Sequence, residues 1–192
     1  FEYYEKISKQ DNRIKVCKFD INYFNYSAIV NYGVECSKGE YIVMLNNDIE
    51  FITEDWIEQL LMYAQRPDVG ICGAKLYFPD RSIQHAGVTL GTRGLAGHRC
   101  REVQEKDFKK DDYINIVQDL SAVTAACFMV RKQLYIDMLG FDEKLAVAFN
   151  DVDFCMKIRT AKYLIVYNPF VEAYHYESKS RGEDTENTEK QK

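Results

Sequence analysis

The chain has 192 residues, enough for one domain with a sizeable core. Its 46% hydrophobic and 14% aromatic content excludes a disordered or low-complexity protein. A net charge of −5 argues against a nucleic-acid binder, and no apolar run approaches the roughly 18 residues of a membrane span.

The six cysteines stand singly at positions 17, 36, 72, 100, 127 and 155, mostly inside apolar runs. With no Cys-x-x-Cys pair, they are expected to be buried free thiols in a reducing compartment. No secretory signal pattern is visible. The chain starts at Phe1, in mid-helix by its periodicity, which suggests a piece of a longer protein.

Phe1, Tyr4 and Ile7 recur at helical spacing, so residues 1–10 read as the end of an amphipathic helix. Asp11-Asn12 is a turn, and residues 13–19, with Ile14, Val16 and Cys17, read as a short strand. Asn25 is a fitting cap for a helix over 25–35 with Ala28, Ile29 and Tyr32 inward, closed by Lys38-Gly39. The next run, Tyr41 to Leu45, is apolar without alternation. That is the pattern of a strand buried on both faces, as in the middle of a mostly parallel sheet. It ends abruptly in Asn46-Asn47-Asp48. In open α/β sheets, strand ends deliver ligand groups into the crevice outside the sheet. These three side chains are oxygen donors, suited to Mg²⁺ or Mn²⁺ bridging to a diphosphate. The alternative is a polar turn.

Thr53 is a candidate cap for a helix over 54–65, which buries Trp56, Leu60, Leu61 and Tyr63 and stops at Pro67. Residues 69–78 read as a strand interrupted by Gly70 and Gly73, 79–82 as a hairpin turn and 83–90 as the returning strand. The stretch 91–112 has no period. Gly91, Gly94 and Gly97 precede His98 and a basic cluster, so it reads as a mobile flap.

Beyond it, Asp119 precedes the small residues Ser121, Ala122, Thr124, Ala125 and Ala126. Small side chains in a sheet admit a ligand or another backbone, or simply pack tightly. A short helix over 132–138 is broken at 139–143. Asn150 then caps a helix to about 161, with Asp151 and Asp153 in the first turn, where the macrodipole favours carboxylates. Residues 163–167 and 171–176 read as two short strands separated by Asn168-Pro169, the second containing His175. From 177 the chain is almost wholly polar, a tail or the start of a severed helix. The fold class is therefore α/β, with one domain over 1–176.

In this order, Lys38-Gly39-Glu40-Tyr41, Leu45-Asn46-Asn47-Asp48, Trp56, Thr124-Ala125-Ala126-Cys127 with Arg131, Gly140-Phe141-Asp142-Glu143, Asn150-Asp151-Val152-Asp153-Phe154-Cys155, and His175 followed by residues 177–182 form a pattern. It resembles the C-terminal two-thirds or so of a family 2 glycosyltransferase of the GT-A fold, of the kind that builds bacterial surface polysaccharides. The resemblance runs from about Arg13 to Gly182. It departs at two places. The strand, Pro-containing turn and helix that hold the nucleotide base in the family have no counterpart here, and Asn46 stands where the family has the first Asp of Asp-x-Asp.

The resemblance implies a GT-A sheet, mixed and mostly parallel, with helices on both faces. It implies an inverting, metal-dependent transfer from a nucleotide-sugar donor to a glycan or lipid-linked acceptor. Asp48 and His175 would hold Mn²⁺ or Mg²⁺, Asp151 would be the catalytic base, and Asn46, Asn47 and Asn31 would bind the donor. His98, Arg99, Asp119, Thr124 and Asp153 would serve the acceptor or flap. It further implies a cytoplasmic protein, at the inner face of the membrane if regions outside this chain attach it. A non-catalytic GT-A-like domain that binds a glycan or a protein is the alternative.

Overall fold

The computed structural model describes residues 2–20, 22–91, 94–109 and 112–176. The polar stretch 177–192, with the last family motif, lies outside the described residues. In chain order the elements are α1 (Glu2–Gln10), α2 (Tyr26–Cys36), β1 (Tyr41–Leu45), β2 (Ile49–Phe51), α3 (Trp56–Ala64), β3 (Val69–Tyr77), β4 (Ile83–His85), β5 (Val88–Leu90), β6 (Ala96–His98), β7 (Gln118–Asp119), β8 (Cys127–Arg131), α4 (Lys132–Asp137), α5 (Asn150–Thr160) and β9 (Leu164–His175).

A seven-stranded sheet runs β1-β8-β3-β9-β2, with β4 also pairing β3 and β7 also pairing β9. Helices cover both faces, as expected. On one, Val34 of α2, Leu134 and Tyr135 of α4, and Phe154 and Ile158 of α5 bury against Ile71, Phe128 and Ile165. On the other, Leu60 and Ala64 of α3 bury against Cys72, Met129 and Val166.

The middle of the sheet is β3, buried at every position. Its two glycines make room for neighbours: a Cβ on Gly70 would meet Ile158 Cγ2 at 2.3 Å, and one on Gly73 would meet Val123 Cβ at 2.7 Å.

Two expectations about the sheet need correcting. Tyr41–Leu45 is an edge strand among the described residues, pairing only β8. Ile42 and Met44 face the layer of α2, while Tyr41 and Val43 lean on the α3 side. An unalternating pattern reports that helices cover both faces; it carries no information about lateral neighbours. The sheet is also mixed but not mostly parallel. Only β3 and β9 pair parallel, while β1·β8, β2·β9, β3·β4, β3·β8 and β7·β9 are antiparallel.

Smaller differences have local causes. Residues 13–19 are mostly exposed and form no strand. Asn25 caps α2 as expected, its side chain accepting from Ala28 N. Thr53 does not cap α3; its hydroxyl donates to Phe170 O and accepts from Glu172 N. The two expected C-terminal strands are one, β9, kept continuous by a register shift against Ala74 and Lys75. There Asn168 is buried and donates to Gln59 O at 3.0 Å, so Pro169 sits at the irregularity, where its missing N–H is harmless. The returning strand 83–90 is split at Gly87 (φ +92°) into β4 and β5.

None of the six cysteines is in a disulfide. Cys72, Cys127 and Cys155 are buried, Cys36 and Cys100 partly so, and Cys17 is exposed. Burial raises the thiols of Cys72 and Cys155 and pushes Cys127 up to about 12, which makes these three inert. No helix among the described residues is long and apolar enough to cross a membrane.

Candidate active site

The polar end of β1 is placed by two ladders. Asn46 N donates to Ala126 O at 3.0 Å, extending the β1·β8 pairing one residue past the strand. The chain then turns into β2, which pairs with the end of β9 so that Ile49 lies opposite His175. Tyr176 N donates to Asp48 O at 3.0 Å in the same ladder. This register brings two residues far apart in sequence together: Asp48 Oδ1 lies 3.1 Å from His175 Nε2.

The imidazole of His175 is held by Gln84 of β4. Gln84 Nε2 donates to the backbone carbonyl of His175 at 3.1 Å, which turns Gln84 Oε1 toward His175 Nδ1 at 2.7 Å. Nδ1 must therefore carry a proton, and in the neutral ring Nε2 presents a lone pair. Asn46 Nδ2 approaches that lone pair at 3.3 Å, and the Tyr26 hydroxyl donates to Asn46 Oδ1 at 3.2 Å.

In the neutral ring that lone pair faces a carboxylate oxygen that is buried and has no other hydrogen-bond donor among the described residues; in the protonated ring Nε2–H would donate to it. Two acceptors at that distance repel unless a cation lies between or beside them. One imidazole nitrogen and one carboxylate oxygen suit Mn²⁺ or Mg²⁺, with the remaining positions left to water and diphosphate oxygens. No group of three or more His, Cys, Asp or Glu side chains able to hold a metal occurs among the described residues. The residues present fit a cation completed by its substrate.

Asp151 arrives from another direction. Phe149 adopts φ +62°, ψ 2°, a left-handed turn that swings the chain into α5. Asn150 is buried there and donates to Ser27 Oγ and Leu145 O. Asp151 Oδ1 accepts from Val152 N at 2.8 Å, and Oδ2 accepts from Ala125 N at 3.2 Å. The small residues Thr124-Ala125-Ala126 thus admit the helix start, and Ala125 supplies an N–H to the carboxylate. Two N–H groups leave lone pairs on both oxygens.

A cleft of about 1480 Å³ joins these groups. Asp48, His175, Asp151, Asn46, Asn47, Thr124 and His98 all line it, as the sequence predicted of one site. Other expected site residues lie elsewhere. Asn31 braces the turn after α4: its Oδ1 accepts from Tyr135 OH at 2.6 Å and Phe141 N at 3.0 Å, and its Nδ2 donates to Phe141 O. Asp119 accepts from Arg159 and from Ile165 N. Asp153 pairs with Lys157 one turn along α5. Arg99, in the turn after β6, donates to Gln118 Oε1 and lies over the Tyr113 ring.

The stretch expected to be a flap is built as a hairpin. Strand β5 pairs β6, and Ser82 bridges Gln104; residues 92, 93, 110 and 111 lie outside the described residues. The hairpin carries His98 onto His85, whose Nδ1 is 2.9 Å from His98 Nδ1. His85 is fully buried, and burial, reinforced by His98, His175 and Arg99, lowers its pKa well below the usual histidine value. Sequence reading missed Gln84, His85 and Tyr26. The signal for the first two was an adjacent polar pair inside an otherwise apolar strand.

The family model for Glycosyl transferase family 2 matches residues 2–139. An uncharacterised protein, y4gI, of Sinorhizobium fredii is 43% identical over 96% of this chain, which spans 20% of that protein. The O-antigen biosynthesis protein RfbC of Myxococcus xanthus is 35% identical over 84% of the chain and 13% of its own length. An N-acetylglucosaminyl-diphospho-decaprenol L-rhamnosyltransferase of Mycobacterium tuberculosis is 23% identical over 76% of the chain and 50% of that protein. Among solved structures, GalNAc-T7 with UDP, GalNAc and Mn²⁺ superposes with a TM-score of 0.71 at 14% identity, covering 91% of this chain and 34% of that one. That likeness shows the GT-A fold, and the family model covers most of the chain: the protein belongs to glycosyl transferase family 2.

Proposed function

We propose that this domain transfers a sugar from a nucleotide-sugar to a glycan or lipid-linked acceptor in surface-polysaccharide synthesis, with inversion and with a divalent cation. The observation that carries the reading is the meeting of Asp48, His175 and Asp151, delivered by β1, β9 and α5, in one cleft. The names of the relatives support the substrate class, since one is an O-antigen biosynthesis protein and another carries a decaprenol-linked sugar in its name. Six free thiols favour the reducing, cytoplasmic side, where a peripheral membrane attachment would bring a lipid-linked acceptor within reach.

Asp48 and His175 would hold Mn²⁺ or Mg²⁺. The bound cation offsets the charge that grows on the diphosphate as it leaves. Asn46 and Asn47 are placed to hydrogen-bond donor oxygens. Asp151 accepts the proton of the acceptor hydroxyl as its oxygen attacks the anomeric carbon and the bond from that carbon to the phosphate oxygen breaks. One attack from the face opposite the leaving group inverts the centre. The domain over 1–176 is the unit proposed to do this.

The test is calorimetric titration of UDP, GDP and TDP with Mn²⁺, alongside transfer assays with the matching nucleotide-sugars and the anomer determined by NMR. Binding of none of them, with no transfer, would leave a non-catalytic binding domain in its place.

A further inference from the structure

The site accounts for Asp48, His175 and Asp151 but not for the buried His85 and its half-buried partner His98. Resting on the transferase reading above, we propose that His85 fixes His98 as a neutral Nε2–H donor, which binds an oxygen of the nucleotide-sugar donor. The oxygen belongs to the diphosphate or to a hydroxyl of the transferred sugar.

The argument runs outward from a backbone amide. Thr124 N–H points at His85 Nε2 at 3.4 Å. An amide N–H has only a proton to offer, so Nε2 must present its lone pair, and the single proton of neutral His85 sits on Nδ1. Nδ1 of His85 faces Nδ1 of His98 at 2.9 Å, a distance that requires one donor and one acceptor. His85 is the donor, so His98 Nδ1 accepts and its proton is on Nε2. The opposite assignment would aim an N–H of His85 at the N–H of Thr124. Complete burial of His85 also opposes a second proton on it.

Position gives the pair its role. His98 lines the same cleft as Asp48, His175 and Asp151, while His85 lies wholly beneath it. The segment that orients His85 is Thr124-Ala125, which also donates to Asp151 through Ala125 N. One short stretch therefore orients both a proton acceptor and a hydrogen-bond donor toward the cleft. Every ligand class the cleft suits is rich in oxygen acceptors, and a donor with a fixed tautomer selects an acceptor. His98 is a binding residue and His85 its positioning residue.

Two readouts test this. Long-range ¹⁵N–¹H correlation on protein labelled at histidine reports tautomers without any ligand. The expected result at neutral pH is Nδ1–H for His85 and Nε2–H for His98. His98 found as the Nδ1–H tautomer or as imidazolium overturns the proposal, whatever becomes of the transferase reading.

The second readout is calorimetric affinity for nucleoside diphosphates, and then for the matching nucleotide-sugars, with Mn²⁺. His98→Asn places its amide near the Nδ1 position and should weaken binding about tenfold or more; His98→Gln, with an amide near Nε2, should recover most of it. His85→Phe should cost similar affinity and scramble the His98 tautomer, and His85→Asn should restore both. A loss seen with nucleoside diphosphates identifies a phosphate oxygen; one seen only with nucleotide-sugars identifies a sugar hydroxyl. Equal affinities for His98→Asn, His98→Gln and the unaltered protein overturn the role of His98. If the unaltered protein binds no nucleotide, the transferase reading and the ligand half of this inference fail together, and the tautomers still decide the pair.

Discussion

At residue scale, Asp48 is stressed by its surroundings. Its Oδ1 is buried, has no other hydrogen-bond donor among the described residues, and with His175 neutral faces the Nε2 lone pair at 3.1 Å. Asp48→Asn puts an amide donor into that gap. The variant should lose Mn²⁺-dependent nucleotide binding while the free protein becomes more stable, by about 1 kcal/mol for one buried hydrogen bond. Thermal unfolding in chelator, set beside calorimetry with Mn²⁺, reads both. A destabilised variant would mean the carboxylate is satisfied in the free protein. Asp151→Asn should behave differently, because it keeps size and one of the two N–H contacts but removes the proton acceptor. Turnover should fall by about 10²-fold or more with nucleotide affinity changed only a few-fold. Full activity in this variant would refute Asp151 as the base.

Part of this candidate site could be read from residue types in sequence, because polar groups ending an apolar strand are locally conspicuous, as at Asp48. Asp151 was conspicuous only as a carboxylate opening a helix; its expected role, like that of His175, came from the family pattern. Gln84 and His85 were missed because their meaning depends on β4, paired to β3, setting them against His175 of β9 and His98 of β6, contacts no local pattern encodes. Asn31 was misassigned for the converse reason. A polar residue on a helix near a site resembles a ligand group until the Tyr135 hydroxyl and the Phe141 amide are seen to occupy it.

At the scale of elements, helices followed the 3.6-residue period closely, but of the expected caps only Asn25 holds: Thr53 bonds to β9, and Asn150 is the first residue of α5, behind Phe149 at the cap position. Strand neighbours and directions did not follow from burial patterns either. The hairpin β5·β6 shows why a glycine-rich aperiodic stretch is ambiguous. The stretch that follows it, around Glu105, is tied to β3 and to the turn before β4 by side chains. Tyr77 OH is 2.6 Å from Glu105 Oε1 and 2.7 Å from Glu172 Oε1, and Arg81 pairs with Glu105 at 2.8 Å. Lys75, almost wholly buried, pairs with Glu172 at 2.8 Å. Burial alone would raise the Glu105 carboxyl, but hydrogen bonds from Tyr77 and Arg81 outweigh it and hold the pKa below the usual value of 4.5. A depressed carboxylate adds stability that is fully present above its unfolded pKa and is lost as pH falls through the lower, folded one. Stability should therefore drop as pH falls below about 4.5. Glu105→Gln should be less stable than the parent at neutral pH and show a flatter dependence through the acid range. Parallel acid profiles for the two proteins would show that Glu105 does not clamp this stretch.

For the whole molecule, the decisive property of the proposed cation seat is that it is incomplete. Asp48 and His175 would supply two ligands, and the described residues contain no cluster of three. A six-coordinate ion then needs oxygens from water and from the diphosphate. Cation and nucleotide should bind as a unit, each weakly alone. Linkage makes this visible in stability, since a ligand at a hundred times its dissociation constant adds about 2.7 kcal/mol. For a chain of this size that is a rise in Tm of roughly 5–10 °C. Mn²⁺ alone and nucleoside diphosphate alone in chelator should each shift Tm little, and the two together by more than the sum. His175→Ala should remove the joint shift. Asp151→Asn should keep it, because Asp151 enters the cleft from α5 and does not face the Asp48–His175 pair. A full shift with Mn²⁺ alone would require a third protein ligand, and the cleft would then be a closed metal centre rather than one completed by its donor.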